Sequence, residues 1–192
     1  MSKIILFTLI ITTFYSCSKP LKYQFLDKEK LTIKCNEMDA NLAREVYYSF
    51  REDIANYAKN NGQTENLKHQ YSLALYIVNG ASGVADYENI TSNHTRDIVK
   101  ILAQENQLWN NDKSLNYKSD YISCLIENIK NTEVKNAILF FSDGKLNRKE
   151  LVDIYRLNIR DMSTDTHFAM FIAFESYYQF LNKLELKNND DS

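Results

Sequence analysis

From Asp39 onward, apolar side chains return every three or four residues. Between Asp39 and Asn60 the positions Ala43, Val46, Tyr47, Phe50, Ile54, Tyr57 and Ala58 form one stripe, with Arg44, Glu45, Arg51, Glu52 and Lys59 off it. That period predicts an amphipathic helix, and Asn60-Asn61-Gly62 supplies a left-handed stop. A second helix, capped by Thr64, turns Leu67, Tyr71, Ala74, Leu75 and Val78 inward and ends at Asn79-Gly80. Its run LALYIV, Leu73 to Val78, is apolar all round, which predicts a central position.

The same period predicts a third helix from about Thr95 to Trp109, with Ile98, Val99, Leu102 and Trp109 inward. A fourth runs from about Leu115 to Asn131, with Ile122, Leu125, Ile126 and Ile129 on one face. A fifth begins at Thr132, buries Val134, Ala137, Ile138 and Phe141, and stops at Asp143-Gly144. Asn147 and Glu150 have capping-box spacing ahead of Leu151, Val152, Tyr155 and Ile159. The last helix starts near Thr166 and contains HFAMFIAF, His167 to Phe174, too apolar to lie anywhere but among the others.

Seven such helices without a fixed repeat predict an all-α fold, an irregular single-domain helical bundle. LTIKC, Leu31 to Cys35, alternates apolar and polar and predicts a short extended segment ahead of it. Four glycines and one proline in 192 residues argue against a turn-rich sandwich or barrel.

The first seventeen residues follow a different logic. Lys3 and the apolar run Ile4 to Ile11 have the charge and length of a signal peptide, and the run is too short to span a membrane. It leads through Phe14 and Tyr15 to Ser16 and Cys17. This segment resembles a bacterial lipoprotein signal, in which the cysteine is lipidated and becomes the new N-terminus. The resemblance implies residues 1–16 as signal peptide, an acylated (palmitate-bearing) Cys17, and residues 17–30 as a tether. Residues 31–186 are then the helical domain and 187–192, KNNDDS, a flexible tail. Two or more acyl chains hold a protein stably on a bilayer where one does not. Ser18 after the cysteine resembles the sorting signal of enterobacterial lipoproteins, and that resemblance implies the outer membrane, facing the periplasm.

Loss of Lys3 with the signal leaves 22 basic side chains against 25 acidic, a net charge of −3. Such a chain has no electrostatic footprint for nucleic acid. With Cys17 committed to lipid, Cys35 and Cys124 remain. In an oxidising envelope they can form one disulfide, or they pack as two small buried thiols.

Signals for chemistry are sparse. SDGKLNRKE, Ser142 to Glu150, has the outline of half an EF-hand, but Leu139 and Phe141 stand where calcium needs oxygen donors. A helix stop followed by a capped helix explains the same residues. Glu65 and His69 have i, i+4 spacing without further zinc ligands; His69, His94 and His167 lie on different elements, and His167 heads the apolar helix. No GxSxG, Walker loop, GxGxxG or CxxC is present, and nothing calls for a metal or cofactor.

The longest stretch without a period, residues 79–97, gathers Asp86, Tyr87, Glu88, Asn89, Asn93 and His94. It is either a functional loop, with Asp86, Tyr87, Glu88 and His94 as ligand or partner contacts, or a short helix from Val84 to Ile90 joining two longer ones. Tyr48, Tyr76 and Tyr177 are offset from the helical stripes, which predicts either an exposed aromatic patch or a wider core face.

Two functions fit. One is a non-catalytic, lipid-anchored module that binds another protein, such as an immunity protein, inhibitor or complex subunit. The other is a periplasmic enzyme or small-ligand binder with a pocket near residues 79–97.

Overall fold

The computed structural model describes residues 20–60, 69–81, 85–162 and 164–190. Cys17, Glu65 and the side chain of His69 lie outside them. Among the described residues the chain is all-α and folds around a single core. Its elements are α1 (Ala40–Asn60), α2 (His69–Asn79), α3 (Tyr87–Ile90), α4 (Asn93–Leu102), α5 (Asp120–Glu127), α6 (Thr132–Ser142), α7 (Arg148–Leu157) and α8 (Ile159–Met162). They are followed by α9 (Thr166–Ile172), which passes through a π-helical stretch (Ala173–Tyr178) into α10 (Gln179–Asp190). None of these helices is long and apolar enough to cross a membrane.

Local chemistry accounts for the helix ends. Asp39 Oδ1 accepts the N–H groups of Asn41 and Leu42, each at 3.0 Å, and so starts α1. Asn147 and Glu150 form the reciprocal capping box at the head of α7, with bonds of 2.7 and 3.0 Å. Gly144, at φ 72°, takes the left-handed turn after α6. The EF-hand outline is therefore a helix stop and a helix start.

The run from Phe168 to Phe174 is buried throughout. α9 packs on α5, the π-helical stretch on α1, and α10 on α4. This long terminal rod runs through the core, in contact with α5, α1 and α4.

Three expectations need correction. α4 ends at Leu102, seven residues short of Trp109, because the chain turns back and the indole N–H donates to the Leu102 carbonyl at 2.6 Å. An α-helix leaves its last carbonyls open, and here a side chain closes one. α5 is likewise shorter than the period suggested, because Ser119 caps it by accepting from Ile122 N. The inner face of α2 is also rotated: Leu73, Tyr76 and Ile77 are buried, while Tyr71 and Val78 are exposed. A helix apolar on all sides has no stripe to read, and the face is chosen by Tyr76, whose hydroxyl donates to the Ser176 carbonyl at 2.8 Å.

Tyr76 and Tyr177 consequently form no exposed patch. Both are fully buried, with ring centroids 6.1 Å apart, in an aromatic cluster with Phe50, Tyr57, Tyr87 and Tyr178. Tyr48 is half-buried, donates to Glu29 O at 3.1 Å and lies beneath the Arg51 guanidinium.

Candidate functional site

The segment 79–97 contains a short helix, α3, and disperses its candidate residues. Asp86 is exposed and occupied as a cap, accepting from Asn89 N at 3.4 Å and Asn89 Nδ2 at 2.5 Å. Glu88 is exposed, and its carbonyl accepts from Arg96. Tyr87 lies in the core, donating to the Ser176 carbonyl at 3.0 Å, and burial raises its phenol pKa to about 12. His94 faces a different element, with Nε2 2.7 Å from Glu45 Oε2.

That contact leads to a group the hydrophobic pattern missed. Glu45 is fully buried, and its carboxylate accepts the backbone N–H of Phe25 at 2.7 Å and that of Gln24 at 2.9 Å. Phe25 itself is buried, with its ring 5.7 Å from His94 and 5.9 Å from Tyr48. Arg44 donates to Leu26 O at 2.7 Å. Residues 21–35 thus form a strap across α1, and they bury the two charged residues, Arg44 and Glu45, that the period placed off the core stripe. No local signal in α1 marks this, because the cover comes from a distant part of the chain.

Three further carboxylates are buried, of which Asp165 caps α9, accepting from His167 N at 3.0 Å and Lys130 N at 2.7 Å. Asp53 accepts from Thr95 Oγ1 at 2.5 Å, Tyr177 OH at 2.8 Å and Ser92 N at 3.2 Å, and burial, partly offset by these donors, raises its pKa. Glu175, in the π-helical stretch, pairs with Arg148 and accepts from Tyr117 OH at 3.2 Å; burial raises its pKa against the opposing pull of Arg148. Arg148 also stands 5.3 Å from the Phe141 ring and 5.7 Å from Phe180. π-helical turns are frequent at functional sites. The signal available for Glu175 was a carboxylate embedded in an apolar helix, a position that demands a partner.

Cys35 and Cys124 form a disulfide, with Cα atoms 5.7 Å apart across 89 residues of sequence. It ties the end of the strap to α5. Glu37 joins the two sulfurs in the one grouping of three potential metal ligands found among the described residues. Zinc binds thiolates, and the S–S bond removes both.

Two clefts lie near the bridge, one lined by Cys35 and the other by Glu37. A cleft of about 520 Å³ runs between the strap and the first turns of α1, lined by Lys30, Leu31, Ile33, Asn41 and Arg44 among others. A second cleft, of about 140 Å³, lies between residues 37–42, the loop after α4 and the start of α5. Its rim carries Glu37, Asp39 and Glu105, its wall Met38 and Leu42, and Tyr121 also lines it. Tyr121 is 3% exposed, and its hydroxyl has no hydrogen-bond partner among the described residues.

No protein-family model matches this chain, and neither a curated protein nor a solved structure matches it.

Proposed function

We propose that this chain is an exported domain anchored through a lipidated Cys17 to the bacterial cell envelope, on the outer membrane facing the periplasm. There it acts as a non-catalytic protein-binding module, an immunity protein, inhibitor or complex subunit. The observation that carries this reading is the Cys35–Cys124 disulfide in a chain whose remaining cysteine is Cys17. Such bridges persist in oxidising compartments and are rare in the cytosol.

Binding of a partner is supported by the large apolar side chains left in solvent: Tyr71, Leu139, Phe140 and Leu157, the last 82% exposed. The buried carboxylates Glu45, Asp53 and Glu175 each bind a different part of the chain itself, which supports a structural role for the polar groups. Affinity purification of the tagged, full-length protein from solubilised membranes tests the reading. A stoichiometric protein partner is expected, and its absence overturns the binding role.

A further inference from the structure

The small cleft beside the disulfide differs from the other polar groups of the domain. It is open, it is acidic, and it contains a phenol that folding leaves unpartnered. Glu37, Asp39 and Glu105 lie on its rim with Gln107, and no basic side chain is among its lining residues. Neither Glu37 nor Glu105 forms an ion pair among the described residues. Asp39 uses Oδ1 to cap α1, so the partial positive charge of that helix end is already met and Oδ2 remains for a ligand.

Tyr121 supplies the second observation. Its ring packs against Phe174 at 5.8 Å, and its hydroxyl is buried. Burial raises its pKa, with the charge of Glu37 adding to the effect, so the phenol end is held near the acidic rim as a neutral donor and acceptor. A buried hydroxyl with no partner has lost its water without a replacement bond. A polar ligand in the cleft would offset that loss.

The dimensions select the ligand class. At about 140 Å³ the cleft is below the 300 Å³ or more typical of drug-sized ligand pockets, so it fits a head group or one side chain. A hard metal ion is a poor match, because calcium needs six to eight oxygens at 2.3–2.6 Å. The carboxylates of Glu37, Asp39 and Glu105 do not come within 4.8 Å of one another as a group. A guanidinium carries five donors in a planar fork and forms paired bonds with carboxylates. Met38 and Leu42 offer apolar surface for the stem behind it.

We propose that this cleft is the receptor for an arginine side chain of the protein partner, with the carboxylates of Glu37, Asp39 and Glu105 taking the guanidinium and Tyr121 OH completing its contacts. The proposal deepens the partner-binding reading and rests on it. Arginine is among the residues that dominate interface energetics, and charge complementarity at such a rim also speeds association.

The probe is the peptide acetyl-Gly-Arg-Gly-amide, titrated into the disulfide-bonded domain and followed by backbone amide NMR shifts. Shifts confined to residues 37–42, 105–108 and 119–121 are expected, weakening as salt rises. Glu37→Gln/Glu105→Gln, exposed positions that leave the melting temperature unchanged, should weaken binding at least tenfold. Tyr121→Phe should weaken it several-fold without lowering stability. The proposal is overturned if no shifts occur there, if acetyl-Gly-Gln-Gly-amide binds equally well, or if calcium chloride alone produces the saturating shifts.

Membrane purification with Glu37→Gln/Glu105→Gln separates this proposal from the broader one. A partner retained undiminished by that variant overturns the cleft and keeps the binding role. Peptide binding in the cleft with no membrane partner keeps the cleft and removes the binding role.

Discussion

Arg148, the first residue of α7, reaches across the bundle to pair with Glu175 in the π-helical stretch, where the carboxylate has no exposure to solvent. Glu175 Oε2 has no hydrogen-bond partner among the described residues, so the pair stands as the main compensation for that buried charge. Breaking a buried pair by removing one partner costs about 3–5 kcal/mol, whereas replacing both by apolar groups of similar volume is often neutral. Arg148→Met should therefore destabilise the domain by about that amount in urea unfolding, and Arg148→Met/Glu175→Leu should recover most of it. A single substitution without effect would show that the carboxylate is stabilised by something other than Arg148.

Asp53 gives a pH dependence of definite sign. Burial raises its folded pKa above the ordinary aspartate value of 3.8 despite three donors. A carboxylate shifted upward holds its proton more tightly when folded, so its contribution is greatest below the unfolded pKa and is lost as pH rises through the folded pKa. In urea melts of the wild type and Asp53→Asn, the stability difference between them should move against the wild type as pH rises from about 4 toward neutrality. A difference that is flat or moves the other way contradicts the inferred direction.

What could be read from sequence was what local chemistry decides. The α1 stripe, the Asn147–Glu150 box, the Gly144 stop and the burial of Phe168 to Phe174 each depend on neighbours within one or two helical turns. What could not be read depends on remote contacts. Nothing near Trp109 says that its indole closes α4, nothing in LALYIV says which side of Tyr76 meets Ser176, and Glu45 is off the stripe yet buried because residues 21–35 cover it. The same limit applies to the candidate site. Glu37, Glu105 and Tyr121 come from three separated segments, and the disulfide helps bring the first and last together.

The disulfide should add to stability chiefly through the unfolded state. In the chain-entropy model a closed loop of this size, 89 residues of separation, corresponds to about 4–5 kcal/mol. Cys35→Ser/Cys124→Ser should shift urea unfolding by up to that amount, and adding a reductant to the wild type should reproduce the shift. If neither changes the midpoint, the bridge closes no loop that matters to folding.

The membrane reading is tested at Cys17. If Cys17 carries the acyl chains, Cys17→Ser removes that attachment, and no described helix is long and apolar enough to replace it. The variant should leave the membrane fraction or remain unprocessed on a gel. Unchanged processing and membrane retention would mean that another element holds the protein there.

The strap gives a prediction independent of the anchor. Glu45 holds two successive backbone N–H groups, of Gln24 and Phe25, so its grip does not depend on the side chains of the segment it binds. The Phe25 ring then fills the space against His94 and Tyr48, and the disulfide at Cys35 marks the covalent end of the strap. Glu45→Ala leaves both N–H groups without their acceptor, a loss of about 1–3 kcal/mol that falls on the strap more than on the core. Amide exchange at Gln24 and Phe25 should speed up by one to two orders of magnitude, and trypsin should cut at Lys28 and Lys30, while α9 stays protected. In the disulfide-bonded protein the loosening should end at Cys35. Slow exchange at Gln24 and Phe25 in Glu45→Ala would show that Phe25 packing alone secures the strap, and loss of protection throughout α9 would show that Glu45 supports the whole core.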